Sequence, residues 1–148
     1  IFLSQKKKNI LSVTDKRMTR FNISLESAVD MILWIISSAK GGEIFIPNLP
    51  SYKVIDLAQS IAPKAKIEFI GIRPGEKIHE ELITKSESVN TINLGKYFAI
   101  LPTTMDSKIT NFYKKFKRIS LNDNFQYSSG SNKNILNLKE LKKIISKI

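Results

Sequence analysis

The sequence contains no cysteine and only one histidine, His79. Without thiols it can form neither a disulfide framework nor a thiolate metal site, and a single imidazole cannot build a histidine metal centre. The absence of cysteine also leans towards a cytoplasmic setting. Long hydrophobic runs are missing too. The longest, Met31-Ile-Leu-Trp-Ile-Ile36, falls far short of the ~20 apolar residues that span a bilayer, and no signal-peptide pattern opens the chain. No membrane partner is expected. Arginine is scarce: 20 of the 24 basic residues are lysine, although the formal net charge is +11. Clustered cations interleaved with aromatic rings would mark a nucleic-acid surface. These lysines are instead spread along the chain, so solvated lysine faces are the simpler reading and nucleic acid is not expected as a partner. A stand-alone basic module that binds nucleic acid or another polyanion remains the alternative function.

What is present suits an α/β fold. The 148 residues, 42% of them hydrophobic, are enough for one domain with a core, and no linker divides residues 1–148. Ile1 to Asn9 reads as the end of a helix whose beginning is missing, Ile10-Leu-Ser-Val13 as a short strand and Thr14-Asp15 as a turn. In Lys16-Arg-Met-Thr-Arg-Phe21 the odd separation of Arg17 and Arg20 in an extended segment sends them to opposite faces. Ser24 caps an amphipathic helix that stops at Gly41-Gly42, and Glu43 to Pro47 follows as a buried strand. Trp34 is read as core or as a subunit contact. Ser51 caps a second helix through Ala62. Tyr97 to Leu101 is a strand, Ile109 to Ile119 a helix, Asn122 to Asn134 a loop holding Tyr127, and Asn137-Leu-Lys-Glu140 the capping-box start of a last helix.

The organising stretch is Gly71-Ile-Arg-Pro-Gly-Glu-Lys-Ile-His-Glu-Glu81, behind a strand-like run Lys66 to Ile72 and ahead of a helical pattern from Lys77 to Ile83. Pro74 fixes φ and Gly75 permits a positive φ, so Arg73-Pro-Gly-Glu76 predicts a type II turn that sets the separation of Arg73 and Glu76. A guanidinium there offers a planar fork to a phosphate, and the carboxylate can orient it or accept from a ribose hydroxyl. The plain alternative is a surface turn with an ion pair of little energetic value. His79, the only imidazole, invites a reading as a base against a surface or capping role.

Three stretches together, Thr14 to Phe21, Gly41 to Pro47 with Pro50-Ser51, and Gly71 to Glu81, resemble the C-terminal half of the nucleotide-sugar dehydratases of the extended short-chain dehydrogenase/reductase superfamily. The resemblance is strongest to the inverting UDP-N-acetylglucosamine 4,6-dehydratases of pseudaminic acid biosynthesis, and Asn124 to Ser129 extends it nearly to the end of the chain. Pro74 stands where related epimerase/dehydratases of capsule synthesis tend to have His. Asn22 departs from the bulky aromatic usual at its place.

The resemblance implies a C-terminal substrate-binding portion of an extended short-chain dehydrogenase/reductase, lacking most of the Rossmann sheet. No stretch matches the Gly-rich dinucleotide loop, the Tyr-x-x-x-Lys pair or the catalytic acid and base, so catalytic and NADP-binding residues are expected outside this segment. Such a fragment is expected to be inactive alone. Carried over by motif, Arg20, Arg73 and Glu76 would contact the UDP part of UDP-N-acetylglucosamine, with Ile10 an apolar contact to the uracil and Arg17 structural. The pathway implied is surface polysaccharide or flagellin glycan biosynthesis, and the assembly a homo-oligomer.

Overall fold

The computed structural model describes residues 1–104, 106–116 and 125–147. In chain order the elements are α1 (Phe2–Gln5), a 3-10 turn (Lys6–Lys8), β1 (Ile10–Val13), β2 (Thr19–Phe21), α2 (Leu25–Ser38), β3 (Ile44–Pro47), β4 (Ser51–Lys53), α3 (Val54–Ile61), β5 (Lys66–Phe69), β6 (Glu81–Ile83), α4 (Lys85–Ser88), β7 (Thr91–Asn93), β8 (Tyr97–Ile100), α5 (Ser107–Tyr113), β9 (Tyr127–Ser128) and α6 (Leu138–Ile145). No described helix is long and apolar enough to cross a membrane. The chain divides into two compact units, one of Ile1–Asn22, Pro50–Glu80 and Ser128–Ile148, the other of Ile23–Leu49 and Glu81–Tyr127.

In the first unit β1 and β5 pair in parallel, Ile10 opposite Lys66 through Val13 opposite Phe69. The two-residue period of β1 sends Leu11 and Val13 into a core with Ala58 and Ala62 and turns Ile10 and Ser12 the other way. The helix α6, opened by the expected capping box of Asn137 and Glu140, packs on α3 and buries Leu141. β2 and β4 pair antiparallel, with Arg20 opposite Tyr52.

Two expectations fail here. Ser51 is not a helix cap: its N–H donates to Asn134 O at 2.9 Å and its carbonyl accepts from Leu136 N at 2.8 Å. A residue bonded on both sides in this way is held extended, so α3 begins only at Val54, with no side-chain cap from Lys53. Nor does Lys77 to Ile83 form a helix. Ile78 O accepts from Thr19 N at 3.0 Å and Glu80 O from Ser129 N at 2.8 Å, which commits the backbone to neighbouring segments and leaves too few residues for a helical nucleus. The strand before it is also shorter than predicted, ending at Phe69.

The second unit is built on an antiparallel sheet in the order β3-β8-β7. Its core gathers Ile92, Ala99, Leu101 and Tyr113. Helix α2 is capped as expected, Ser24 Oγ accepting from Ser27 N at 3.1 Å. It ends differently: Ala39 is the C-cap in an extended conformation, and the positive-φ glycines Gly41 and Gly42 lie beyond it. Glu43 explains the early stop, because its carboxylate accepts from Lys40 N at 2.8 Å and Gly41 N at 2.7 Å and so holds the turn outside the helix. β3 is less buried than predicted; Ile46 is inside, but Ile44 is 59% exposed at the sheet edge. No residue of α2 is buried, and Trp34 packs edge-on to Phe45 and tilted on Tyr97 at 5.3 and 4.4 Å. The predicted helix around 109–119 runs over Ser107–Tyr113, capped by Asp106; its predicted end at Ile119 and the loop's start at Asn122 lie outside the described residues.

Glu43 also accepts from the Tyr113 hydroxyl. Burial pushes the Tyr113 phenol up, and the Glu43 carboxylate pushes it further. Burial by itself would raise Glu43; the bonds from Tyr113, Lys40 and Gly41 outweigh it and leave the carboxyl below its ordinary value. A carboxylate lowered in the fold contributes stability above its unfolded pKa, which is lost as the pH falls through the folded one. Tyr113→Phe is therefore expected to cost about 1.5 kcal/mol at neutral pH and less in acid, read from urea unfolding at the two pH values. A cost that does not shrink in acid would mean that the Tyr113–Glu43 bond is not its source.

Candidate functional site

The Arg73–Glu76 turn forms as its sequence demands. Glu76 N donates to Arg73 O at 3.0 Å and Gly75 takes φ +79°, the pattern of a type II turn. The Glu76 side chain closes it: Oε2 accepts from Arg73 N at 3.3 Å and Oε1 from the Thr14 hydroxyl at 3.4 Å. The carboxylate thus orients the backbone of the turn rather than the guanidinium. The Arg73 guanidinium makes no ion pair or hydrogen bond among the described residues, and its donors are uncommitted.

Arg20 is held more firmly. Its Nη1 donates to Thr19 O at 2.7 Å and Ile78 O at 3.2 Å, and its Nε lies 3.4 Å from a Glu80 carboxylate oxygen. Nη2 has no bond among the described residues. Arg20, Arg73 and Glu76 line one cavity of about 480 Å³, whose lining also includes polar Thr14 and Tyr52 and apolar side chains such as Met18 and Leu57. Two guanidiniums with free donors against one carboxylate suit an anion with planar or paired oxygens, and the apolar lining suits an uncharged ring system. From β1 the lining comes from Ser12 and Val13, followed by Thr14 just beyond the strand. Ile10, on the Ser12 face of the strand but 40% exposed, is not among the lining residues.

Arg17 lies apart from the cavity. Its Nε and Nη2 fork onto Asp15 at 3.0 and 2.8 Å, and those hydrogen bonds bring the Asp15 carboxyl down to about 2. The separation from Arg20 has a different cause from the strand alternation expected, since Lys16 and Arg17 form a turn and β2 starts only at Thr19.

His79, no longer on a helix, joins a chain of hydroxyls. Thr19 Oγ1 lies 2.8 Å from His79 Nδ1 and 2.7 Å from Ser129 Oγ, and Glu80 N donates to Ser129 Oγ at 2.9 Å. One polarity gives each hydroxyl proton an acceptor: Glu80 N–H to Ser129, Ser129 to Thr19, Thr19 to His79 Nδ1. The chain ties β2, which carries Arg20, to the segment after the turn. Gly130 makes room for the ring, because a Cβ there would sit 2.6 Å from His79 Cγ.

Thr14 and Tyr52 are among the cavity residues that sequence reasoning did not single out. The signal for Tyr52 was present. Ser51-Tyr-Lys53 read as a strand opposite Thr19–Phe21 sets Tyr52 across from Arg20; reading Ser51 as a cap hid it.

The polysaccharide biosynthesis protein family matches residues 1–102. The chain is 42% identical, over 92% of its length, to a UDP-N-acetylglucosamine 4,6-dehydratase (inverting) of Campylobacter jejuni subsp. jejuni serotype O:2, and covers 42% of that protein. It is 35% identical over 98% of its length to a UDP-glucose 4-epimerase of Rickettsia bellii, covering 43% of it. The X-ray structure of Pen from Bacillus thuringiensis superposes on 99% of the chain with a TM-score of 0.79 and 32% identity, and 44% of that chain is covered. The chain thus spans less than half the length of the relatives it matches, with a mixed α/β fold similar to that part of them.

Proposed function

The chain belongs to the polysaccharide biosynthesis protein family, and from that premise we propose that its cavity holds the UDP moiety of UDP-N-acetylglucosamine, as the substrate-binding C-terminal portion of an inverting 4,6-dehydratase. The observation that carries this reading is that Arg20 and Arg73 line one cavity, the whole Arg73 guanidinium uncommitted among the described residues and Arg20 keeping Nη2 free while Nη1 and Nε are engaged. A diphosphate accepts from both, the apolar lining covers uncharged parts of the ligand, and Glu76 holds the turn that presents Arg73. The inverting dehydratase is preferred to an epimerase by the higher identity, 42% against 35%, and by Pro74 in the turn.

The chain's own share of the reaction is binding energy and orientation. NADP supplies the hydride chemistry in this reading, but the residues here do not fit it. The positive-φ glycines Gly41, Gly42, Gly71, Gly75 and Gly95 lie in loops and turns after a helix or a strand, and none opens a helix in the way a dinucleotide-phosphate loop requires. No step through that group is assigned to these residues. The reading places the whole enzyme in the cytoplasm, as a homo-oligomer, making nucleotide sugars for surface polysaccharide or flagellin glycans.

Calorimetric titration of UDP into the 148-residue chain tests the proposal, paired with an assay for loss of water from UDP-N-acetylglucosamine. Binding of UDP without turnover is expected. A chain that turns the sugar over would overturn the division of labour, and one that ignores UDP but binds a random-sequence oligonucleotide would favour the basic module.

A further inference from the structure

Tyr52 lies in the same cavity as Arg20 and Arg73, and nothing in the motifs assigned it a role. Three observations bear on it. It stands directly opposite Arg20 in the β2–β4 pair, and directly opposed residues of an antiparallel pair project to the same side of the ribbon. Its hydroxyl makes no hydrogen bond among the described residues, although the side chain is half-buried; a phenol so placed usually finds a partner for its O–H. And its acidity answers to two opposed influences, burial pushing the phenol up and the nearby Arg20 charge pulling it back, so that it remains a neutral donor beside a cation.

A hydroxyl next to a guanidinium turns its oxygen towards the positive charge and its proton away. The group that satisfies that proton and also faces the free Nη2 of Arg20 is an anionic oxygen able to accept from both. We propose that Tyr52 is a third phosphate-binding residue of this cavity, donating its phenolic O–H to the phosphoryl group that Arg20 holds. The inference rests on the nucleotide-sugar reading above and adds to it: β2 and β4 act together as a two-stranded phosphate clip, one strand bringing a charge and the other a neutral donor. Stacking of the Tyr52 ring on a base is the other use a tyrosine could have here, and it leaves the hydroxyl without a partner.

The test compares Tyr52→Phe with the wild-type 148-residue chain, titrating UDP and inorganic pyrophosphate separately. The substitution removes the hydroxyl and keeps the ring, so the fold is expected to hold; far-UV circular dichroism and the melting temperature check that. Affinity for both ligands is expected to fall by about three- to tenfold, the scale of one hydrogen bond. Because the two donors share an acceptor, the loss should shrink in an Arg20→Lys background. Unchanged UDP affinity in Tyr52→Phe overturns the proposal. So does a loss confined to UDP with pyrophosphate unaffected, which would put the hydroxyl on the nucleoside. A wild-type chain that binds neither ligand removes the nucleotide-sugar reading itself, a failure distinct from that of Tyr52.

Discussion

Replacing Arg73 with lysine is expected to weaken UDP binding by roughly 1 to 3 kcal/mol, the scale of a charge-assisted hydrogen bond, although the charge is kept. The geometry makes the case sharper than charge alone. The turn is fixed from behind, by Glu76 on the Arg73 amide and on Thr14, while the guanidinium has no bond among the described residues. It enters binding with its planar fork unspent, and an ammonium cannot offer two parallel donors from one plane. Arg17→Lys is the control. Arg17 is forked onto Asp15 and 61% of its side chain is exposed, so its conversion should leave UDP affinity almost unchanged. Calorimetry on wild type and both variants decides the matter. Equal affinities for wild type and Arg73→Lys would reduce Arg73 to Glu76 to a surface turn, and a large effect at Arg17 would move the site to the wrong arginine.

Gly130→Ala is expected to destabilise the chain by about 2 to 4 kcal/mol, the sum of overpacking and one lost hydrogen bond. The obstacle is steric, since the added Cβ would lie 2.6 Å from both Cγ and Nδ1 of His79. Those atoms are at the root of the ring, so the imidazole must move as a whole and give up Thr19 Oγ1. Urea unfolding should show a lower midpoint. The cause is isolated by a double-mutant cycle: in a His79→Ala background the ring is gone, and the further change Gly130→Ala should cost little. UDP affinity should also fall in Gly130→Ala, because displacement of His79 disturbs the Thr19 and Ile78 carbonyls that hold Arg20. A full cost that persists without His79 would place the strain elsewhere.

Much of the local structure was legible in the sequence because its causes are local. Pro74 and Gly75 dictate a turn by their own φ preferences, and Asn137 with Glu140 dictates a capping box. Ser24 before an apolar series dictates a helix start, and the apolar run Ile10 to Val13 reads correctly as a short strand. The failures fall where distant backbone groups claimed the hydrogen bonds. Ser51 had the chemistry of a cap, but Asn134 and Leu136 took its amide and carbonyl. Lys77 to Ile83 had helical spacing, but Thr19 and Ser129 took the carbonyls of Ile78 and Glu80. Local propensity is worth tenths of a kcal/mol per residue, and backbone bonds formed from afar override it.

The candidate site divides along the same line. The sequence by itself singled out Arg73 and Glu76, because a Pro-Gly turn between an arginine and a glutamate is a feature of adjacent residues; Arg20 entered only through the family resemblance. Which charges meet was decided only in three dimensions. Arg17 was drawn to Asp15 two residues away, Glu76 to a backbone amide and to Thr14 across 62 residues of chain, and His79 to Ser129 through Thr19. Tyr52 came to stand opposite Arg20 by strand pairing. A side chain's partners depend on register and on which acceptors the fold leaves free, and neither is written in the spacing of the residues themselves.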